Sequence, residues 1–256
     1  MDKFITFKDL HNHNSPLLLG NVWDVQGALL FQKLGFKAIG TSSAAIATSL
    51  GYEDGESMPF GELLRIVKSI QSKVEIPLTV DIEGGYSREI SELIDNIVAL
   101  HKLGVVGINI EDSITNTQRE ILIAEDFSKI IQSIKSCLLK SSINMFLNVR
   151  TDAYIMGLKN PFEETLKRIE LYEKSGADGI FIPCIVQENE IKKAVESTIL
   201  PVNVMCMPDL PNFKNLETLG VKRISMGPFL YNNAIEKLEN SINNIVSNKS
   251  FDTLFS

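Results

Sequence analysis

The stretch KLGVVGINIED, residues 102–112, runs from the end of a helical segment through a glycine into a short apolar run that stops on two carboxylates. Gly104 sits where a helix ends on a left-handed residue, a conformation glycine adopts without a Cβ penalty. The same arrangement recurs in KLGFKAI at Gly35, KSGADGI at Gly176 and TLGVKRI at Gly220. Recurrence in four places points to one supersecondary unit reused along the chain rather than two unrelated domains.

Eight apolar, β-branched runs lie along the sequence, at 17–22, 36–41, 76–82, 105–110, 143–149, 178–182, 200–205 and 221–226. Between them fall segments with apolar residues three or four apart, among them Pro59–Lys73, Ile90–Leu103, Ala124–Leu139, Pro161–Lys174 and Phe229–Val246. Strands alternating with helices form a parallel sheet, and eight of them close a (βα)8 TIM barrel. A doubly wound open sheet is the competing arrangement. No Pro/Gly/Ser-rich linker interrupts the series, so residues 1–256 read as one α/β domain.

Composition narrows the function. A net charge of −7 leaves no basic field for nucleic acid or an anionic membrane. No apolar run reaches the roughly 18 residues that span a bilayer. Met1-Asp2-Lys3-Phe4 lacks the features of a signal peptide, so the expected location is the cytoplasm. Cys137, Cys184 and Cys206 are too few and too scattered for a disulfide framework or a thiolate zinc site, and read as reduced thiols.

In a (βα)8 barrel the residues that end the strands converge on one open mouth. Here they are Trp23-Asp24, Thr41-Ser42-Ser43, Asp81-Ile82-Glu83, Glu111-Asp112, Arg150-Thr151-Asp152, Pro183-Cys184, Met205 and Met226-Gly227. Asp81 and Glu83 are two apart on an extended segment, which points both side chains the same way, and Glu111 comes from the next strand. Three carboxylates around one small volume call for a cation, and Mg²⁺ suits one or two carboxylates plus water. The competing role is ion pairing with Arg150 or capping of the following helices. Zinc is disfavoured, because His11, His13 and His101 lie outside the strand ends. Arg150, with Asn148 on its face, matches a substrate carboxylate or phosphonate, or forms a salt bridge to Asp152 or Glu111. The turn Ser42-Ser43-Ala44 offers N–H groups and hydroxyls to an anionic oxygen, or is an ordinary helix cap.

Leu50–Ser57, polar and long for a βα loop, has the makings of a lid over the site or of a plain surface loop. His11-x-His13 reads as a solvated lead-in. Trp23 walls a pocket or packs in the core. No histidine stands near a strand-end Ser or Cys, so a nucleophilic triad finds no support. Gly84-Gly85 lacks the spacing of a phosphate-binding loop.

Taken in order, LLLGNVWD (17–24), TSSAAIATSLGYEDGE (41–56), IPLTVDIEGGY (76–86), GVVGINIED (104–112), NVRTDAY (148–154) and GADGIFIP (176–183) resemble the isocitrate lyase / phosphoenolpyruvate mutase family. The resemblance runs from about Leu17 to Met226. It implies a TIM barrel, often with the eighth helix exchanged between subunits of a homodimer or homotetramer. It also implies Mg²⁺ and a small carboxylate substrate that becomes an enolate. Carried over by residue, Asp81 would hold Mg²⁺ directly, with Glu83 and Glu111 acting mainly through water. Ser42, Ser43 and Ala44 would bind the substrate carboxylate, Asp54 would lie on the gating loop, and Arg150 would contact the substrate.

The loop after Glu111-Asp112 departs from that pattern. Ser113 to Arg119 contains neither the Cys nor the His of the lyase motif, so isocitrate and methylisocitrate cleavage are not expected. It also lacks the Lys of the phosphonate-handling members, leaving Asn116 and Thr117 as partial substitutes, and Pro183 or Cys184 stands where those members place a histidine. The expectation is therefore a Mg²⁺-dependent lyase, of decarboxylase or retro-aldol type, acting on a small 2-oxo or 2-hydroxy acid. The alternatives are a hydrolase or mutase of a carbon–phosphorus bond, and a non-catalytic 2-oxo acid sensor. The tail, residues 248–256, carries Phe251, Leu254 and Phe255 and suggests docking on a neighbouring subunit.

Overall fold

The structure, a computed structural model, describes residues 2–115 and 118–255. Its strands are β1 (Leu17–Val22), β2 (Ile39–Thr41), β3 (Leu78–Asp81), β4 (Gly107–Glu111), β5 (Ser113–Thr115), β6 (Arg119–Ile121), β7 (Phe146–Arg150), β8 (Gly179–Ile182), β9 (Val202–Met205) and β10 (Arg223–Ser225). Eight of them close a parallel barrel in the order β1-β10-β9-β8-β7-β4-β3-β2, while β5 and β6 pair as a separate antiparallel hairpin. The barrel is therefore closed and the open-sheet alternative falls. Each of the eight expected runs supplies one barrel strand.

Alternation along the strands fixes the two faces. Outward-facing Ile108, Ile110, Leu147, Val149, Ile180 and Val204 are buried against the helices. Each such side chain contributes about 1.5–3 kcal/mol by leaving water. Inward-facing Asn109, Asn148 and Asn203 hydrogen-bond one another across the barrel: Asn148 Nδ2 donates to Asn109 Oδ1 at 2.9 Å and to Asn203 Oδ1 at 3.1 Å. The helices supply the matching apolar stripes. In α5 (Ile90–Lys102), the fifth helix after α1 (Lys3–Asp9), α2 (Val25–Lys33), α3 (Ser43–Ser49) and α4 (Phe60–Gln71), Leu93, Ile97 and Leu100 face the sheet. Further helices are α6 (Ala124–Lys140), α7 (Pro161–Lys174), α8 (Glu188–Glu196), α9 (Phe213–Thr218) and α10 (Phe229–Asn248). Gly35, Gly104, Gly176 and Gly220 all have φ between +84° and +97°, as the helix–glycine–strand repeat requires.

The runs at 36–41 and 143–149 begin as strands three residues later than their apolarity suggests. Phe36 and Ile143 still close the preceding helices, donating to the Phe31 and Leu138 carbonyls, so pairing starts at Ile39 and Phe146.

The N-terminal stretch is also more structured than a solvated lead-in. Residues 3–9 form α1, which seals the N-terminal end of the barrel with Phe7 fully buried. His11 is 4% exposed, stacks on Phe146 with ring centroids 4.6 Å apart, and donates from Nδ1 to the Phe7 carbonyl. His13 belongs to the same segment but not to this plug. Burial, reinforced by the nearby Arg223 guanidinium, pushes the His11 imidazole down to about 3. Among the described residues no helix is long and apolar enough to cross a membrane. None of the 20 residues of α10 is buried, although Leu230, Ile235, Leu238, Ile242 and Val246 lie along it.

Candidate active site

A cavity of about 430 Å³ opens at the C-terminal mouth of the barrel. Asn21, Ser42, Ser43, Ala44, Asp54, Asp81, Asn109, Thr115, Arg119, Arg150, Ile155, Phe181, Met205, Ser225, Gly227 and Pro228 line it. Of the residues singled out in the sequence, Ser42, Ser43, Ala44, Asp54, Asp81 and Arg150 thus meet around one volume.

Asp81 ends β3. Its backbone N–H donates to Thr41 Oγ1 at 2.9 Å, and its Oδ1 accepts the Glu83 N–H at 3.0 Å. The Asn109 amide approaches Oδ2 at 3.4 Å, a long contact that leaves this oxygen available to the cavity. Burial pushes the Asp81 carboxyl up, and the Arg150 charge opposes the shift.

Glu83 does not share the strand direction of Asp81. β3 stops at Asp81, and Glu83 has φ +52°, so alternation no longer applies. Its carboxylate turns aside, accepting from the Glu56 N–H at 2.6 Å and the Tyr86 hydroxyl at 2.8 Å. Burial and then the Asp54 charge raise it to about 7.

Glu111 lies behind the cavity wall. Its Oε2 is 2.9 Å from Arg150 Nη1, its Oε1 is 3.3 Å from Arg119 Nη1, and Ser113 Oγ donates to Oε1 at 3.1 Å. Burial pushes the Glu111 carboxyl up, and both guanidiniums work against that shift. Arg150 also engages Asp152, through Nε at 2.5 Å and Nη2 at 3.2 Å. The salt-bridge role considered for Arg150 is thus present, in a residue that also lines the cavity.

Asn148 sits one layer below Arg150, tied to Asn109 and Asn203, and is not part of the lining. Trp23 is also outside it. Its ring packs on the core and meets Tyr231 edge-on at 5.2 Å. Ser42 combines two roles, lining the cavity and capping α3 by accepting the Ala45 N–H at 3.3 Å. Asp112 is structural. It is fully buried and accepts from Arg168 Nη1 at 2.8 Å, the Tyr172 hydroxyl at 2.7 Å and the Asp152 N–H at 2.8 Å.

The loop 50–57 closes over one side. Asp54 Oδ2 lies 3.2 Å from Arg119 Nη2 on the hairpin, and Glu56 ion-pairs with Arg88 and accepts the Tyr86 N–H. Gly55 packs so tightly that a Cβ there would come within 2.6 Å of Thr115 Oγ1. Asn116 and Thr117 lie outside the described residues.

Arg119 was not among the expected site residues. Its only signal was a cation in the loop that follows two strand-end carboxylates. Asn109 also lines the cavity, where the apolar look of β4 concealed a polar inward face.

Among the described residues no three His, Cys, Asp or Glu side chains converge as a metal-ligand cluster. Of the three carboxylates expected around the cation, Asp81 faces the cavity, whereas Glu83 and Glu111, expected to act through water, spend their oxygens on neighbouring side chains and N–H groups. The donors still fit a hard divalent cation of the kind that takes one carboxylate and keeps its waters. Asp81 presents that carboxylate, and Asp54, Asp81, Glu111 and Asp152 outnumber the two guanidiniums among them.

A family model described as phosphoenolpyruvate phosphomutase matches residues 7–246. An uncharacterized protein of Mycobacterium tuberculosis is 33% identical over 227 residues, covering 89% of this chain and 83% of its own. Oxaloacetate decarboxylase 1 of Pseudomonas fluorescens is 27% identical over 246 residues, covering 92% and 82%. Among solved structures, a Burkholderia cenocepacia protein provisionally named a phosphonomutase superposes with a TM-score of 0.89 at 30% identity. That match covers 95% of this chain and all of the other.

Proposed function

This chain belongs to the phosphoenolpyruvate phosphomutase family of enzymes, and from that premise we propose that it is a Mg²⁺-dependent lyase. Its substrate is a small 2-oxo or 2-hydroxy carboxylic acid, cleaved beside the carbonyl carbon by decarboxylation or a retro-aldol step. The observation that carries this reading is the placement of Asp81, Arg150 and the 42–44 turn around one cavity at the barrel mouth.

When bound, a divalent cation would polarise the carbonyl oxygen on which negative charge develops. Asp81 would hold it directly, while Glu111 aims Arg150 from behind the cavity wall and Glu83 ties down the Glu56 N–H and the Tyr86 hydroxyl. Arg150, fixed by Glu111 and Asp152, keeps further N–H groups for a substrate oxygen. Its charge also stabilises electron density displaced when the bond beside the carbonyl breaks. Ser42, Ser43 and Ala44 would hold the substrate carboxylate, and Asp54 rides on the loop that shields the reaction from water.

A second reading, cleavage or rearrangement of a carbon–phosphorus bond, gains from one observation. Arg119 is a second cation at the cavity, where a phosphonate needs more than one. For the assembly we propose a homodimer or homotetramer, supported by the unburied apolar residues of α10. A cytoplasmic location is part of the same reading.

The test is pyruvate release from oxaloacetate and related acids with and without Mg²⁺. Activity should require the cation and fall by roughly a hundredfold or more in Asp81→Ala. Silence across the panel, or full activity in the variant, refutes the lyase reading. Phosphate release from phosphonopyruvate would select the second, and a ligand-induced thermal shift without turnover would indicate a sensor.

A further inference from the structure

The inward amides of β9, β7 and β4 form a chain whose polarity is fixed from one end. Asn203 Nδ2 lies 2.6 Å from the Val204 carbonyl and 3.3 Å from the Arg223 carbonyl, and a carbonyl can only accept. The Asn203 nitrogen must therefore face the backbone, which leaves its Oδ1 to accept from Asn148 Nδ2 at 3.1 Å. Asn148 Nδ2 also donates to Asn109 Oδ1 at 2.9 Å, and Arg223 Nη2, which has donors only, reaches the same oxygen at 3.2 Å. With its oxygen held by two donors, Asn109 turns its NH2 group toward Asp81 and the cavity it lines. A flipped amide would set its oxygen against the Asp81 carboxylate and its N–H groups against those of Asn148 and Arg223. The donor so aimed is underused. Its one acceptor among the described residues is Asp81 Oδ2, at 3.4 Å, a distance at which a hydrogen bond is weak. Arg223 is 1% exposed, with Nε and Nη1 unpartnered and no carboxylate bridged to it among the described residues. Its buried charge thus favours an anion entering above it.

We propose that Asn109 is a catalytic residue whose Nδ2–H donates to the ligand oxygen on which negative charge develops, and that Arg223 is the positioning residue that fixes its orientation. The inference rests on reading this cavity as a 2-oxo or 2-hydroxy acid site. To the guanidinium of Arg150 on the wall it adds a neutral donor from beneath. Such a donor needs no reorganisation as charge grows, because the amide chain and Arg223 hold it before the ligand arrives.

The experiment is calorimetric titration with oxalate, a planar dianion that resembles a pyruvate enolate, in saturating Mg²⁺, paired with titration of Mg²⁺ alone. Asn109→Asp keeps the acceptor that Asn148 and Arg223 meet and removes the donor. It should bind oxalate roughly tenfold or more weakly than the wild type, the worth of one charge-assisted contact. Mg²⁺ alone should bind this variant at least as tightly, because a carboxylate has been added beside Asp81. Arg223→Met should weaken oxalate by about threefold or more without weakening Mg²⁺, and Arg223→Lys should recover part of the loss. Joint loss of Mg²⁺ and oxalate, as a merely structural role would give, overturns the assignment, and so does oxalate binding that neither Asn109→Asp nor Arg223→Met disturbs. The wild type supplies a reading that no variant's folding can spoil: oxalate should move the Asn109 side-chain amide proton resonances downfield, and resonances that stay in place overturn the proposal. A wild type that releases pyruvate from oxaloacetate while Asn109→Asp binds oxalate as tightly refutes the role of Asn109 alone. If the wild type neither binds oxalate nor releases pyruvate, the reading of the cavity falls with it.

Discussion

Glu111 and Arg150 are Cα partners in the register of β4 and β7, and the Arg150 Nη1 atom lies 2.9 Å from Glu111 Oε2. Because the pair is built into neighbouring strands, the guanidinium is aimed by the barrel itself rather than by a loop. Asp152 contacts the same guanidinium two residues further on. The bridge therefore both holds the cation and shapes the wall behind the cavity.

Arg150→Met should be costly for stability as well as for turnover. It strands the carboxylates of Glu111 and Asp152 without their buried partner, which typically costs about 3–5 kcal/mol. Urea unfolding checks this through the midpoint at constant slope. A loss under about 1 kcal/mol would mean that Arg119 alone neutralises the site.

The plug at His11 makes stability depend on pH in a definite direction. The folded imidazole titrates at about 3, below its ordinary 6.5, so the unfolded chain binds more protons between those values. This contribution to stability is complete above about pH 6.5 and is lost as pH falls toward 3. Between pH 6 and 4 the wild type should lose up to about 1.4 kcal/mol per pH unit more than His11→Phe. Parallel slopes for the two proteins would show that the ring is solvated.

Gly55→Ala should loosen the loop 50–57 without unfolding the barrel. Gly55 has φ +103°, and the added methyl carbon would sit 2.6 Å from Thr115 Oγ1. Strain of about 1–3 kcal/mol falls on a segment with few buried residues. Limited proteolysis should cut within residues 50–57 several times faster than in the wild type, while the melting temperature moves by only a few degrees.

Leu238 and Ile242 are 55% and 49% exposed on α10. Their substitution by Glu should shift the protein toward monomers in sedimentation velocity, with the wild type sedimenting as a dimer or larger. An unchanged distribution would place the subunit contact elsewhere, for example over the apolar groove lined by Leu18, Leu210, Phe213 and Met226.

The barrel was legible because its signal is periodic. Glycines at four helix ends and eight apolar runs report backbone requirements that hold wherever the unit recurs. Asp81, Arg150 and the 42–44 turn were legible for the same reason, since strand ends converge in any such barrel. Glu83 was misplaced because a left-handed residue breaks alternation, and the sequence IEGG carries no mark of which residue turns. Arg119 needed the hairpin to carry it back over the mouth, a pairing of Ser113–Thr115 with Arg119–Ile121 that no periodicity announces. His11 needed Phe146, which lies 135 positions away in the chain and beside it in space.

The sealed floor made by α1 has a kinetic consequence. Among the described residues, Phe7 and His11 close the barrel beneath the strands, and the cavity opens at the opposite end, beside loop 50–57. Under the proposed cleavage of one molecule into two fragments, the fragment nearer the threshold would depart before the deeper one. Departure order, and the pattern by which each fragment inhibits, would then follow from the floor rather than from any residue that touches the ligand.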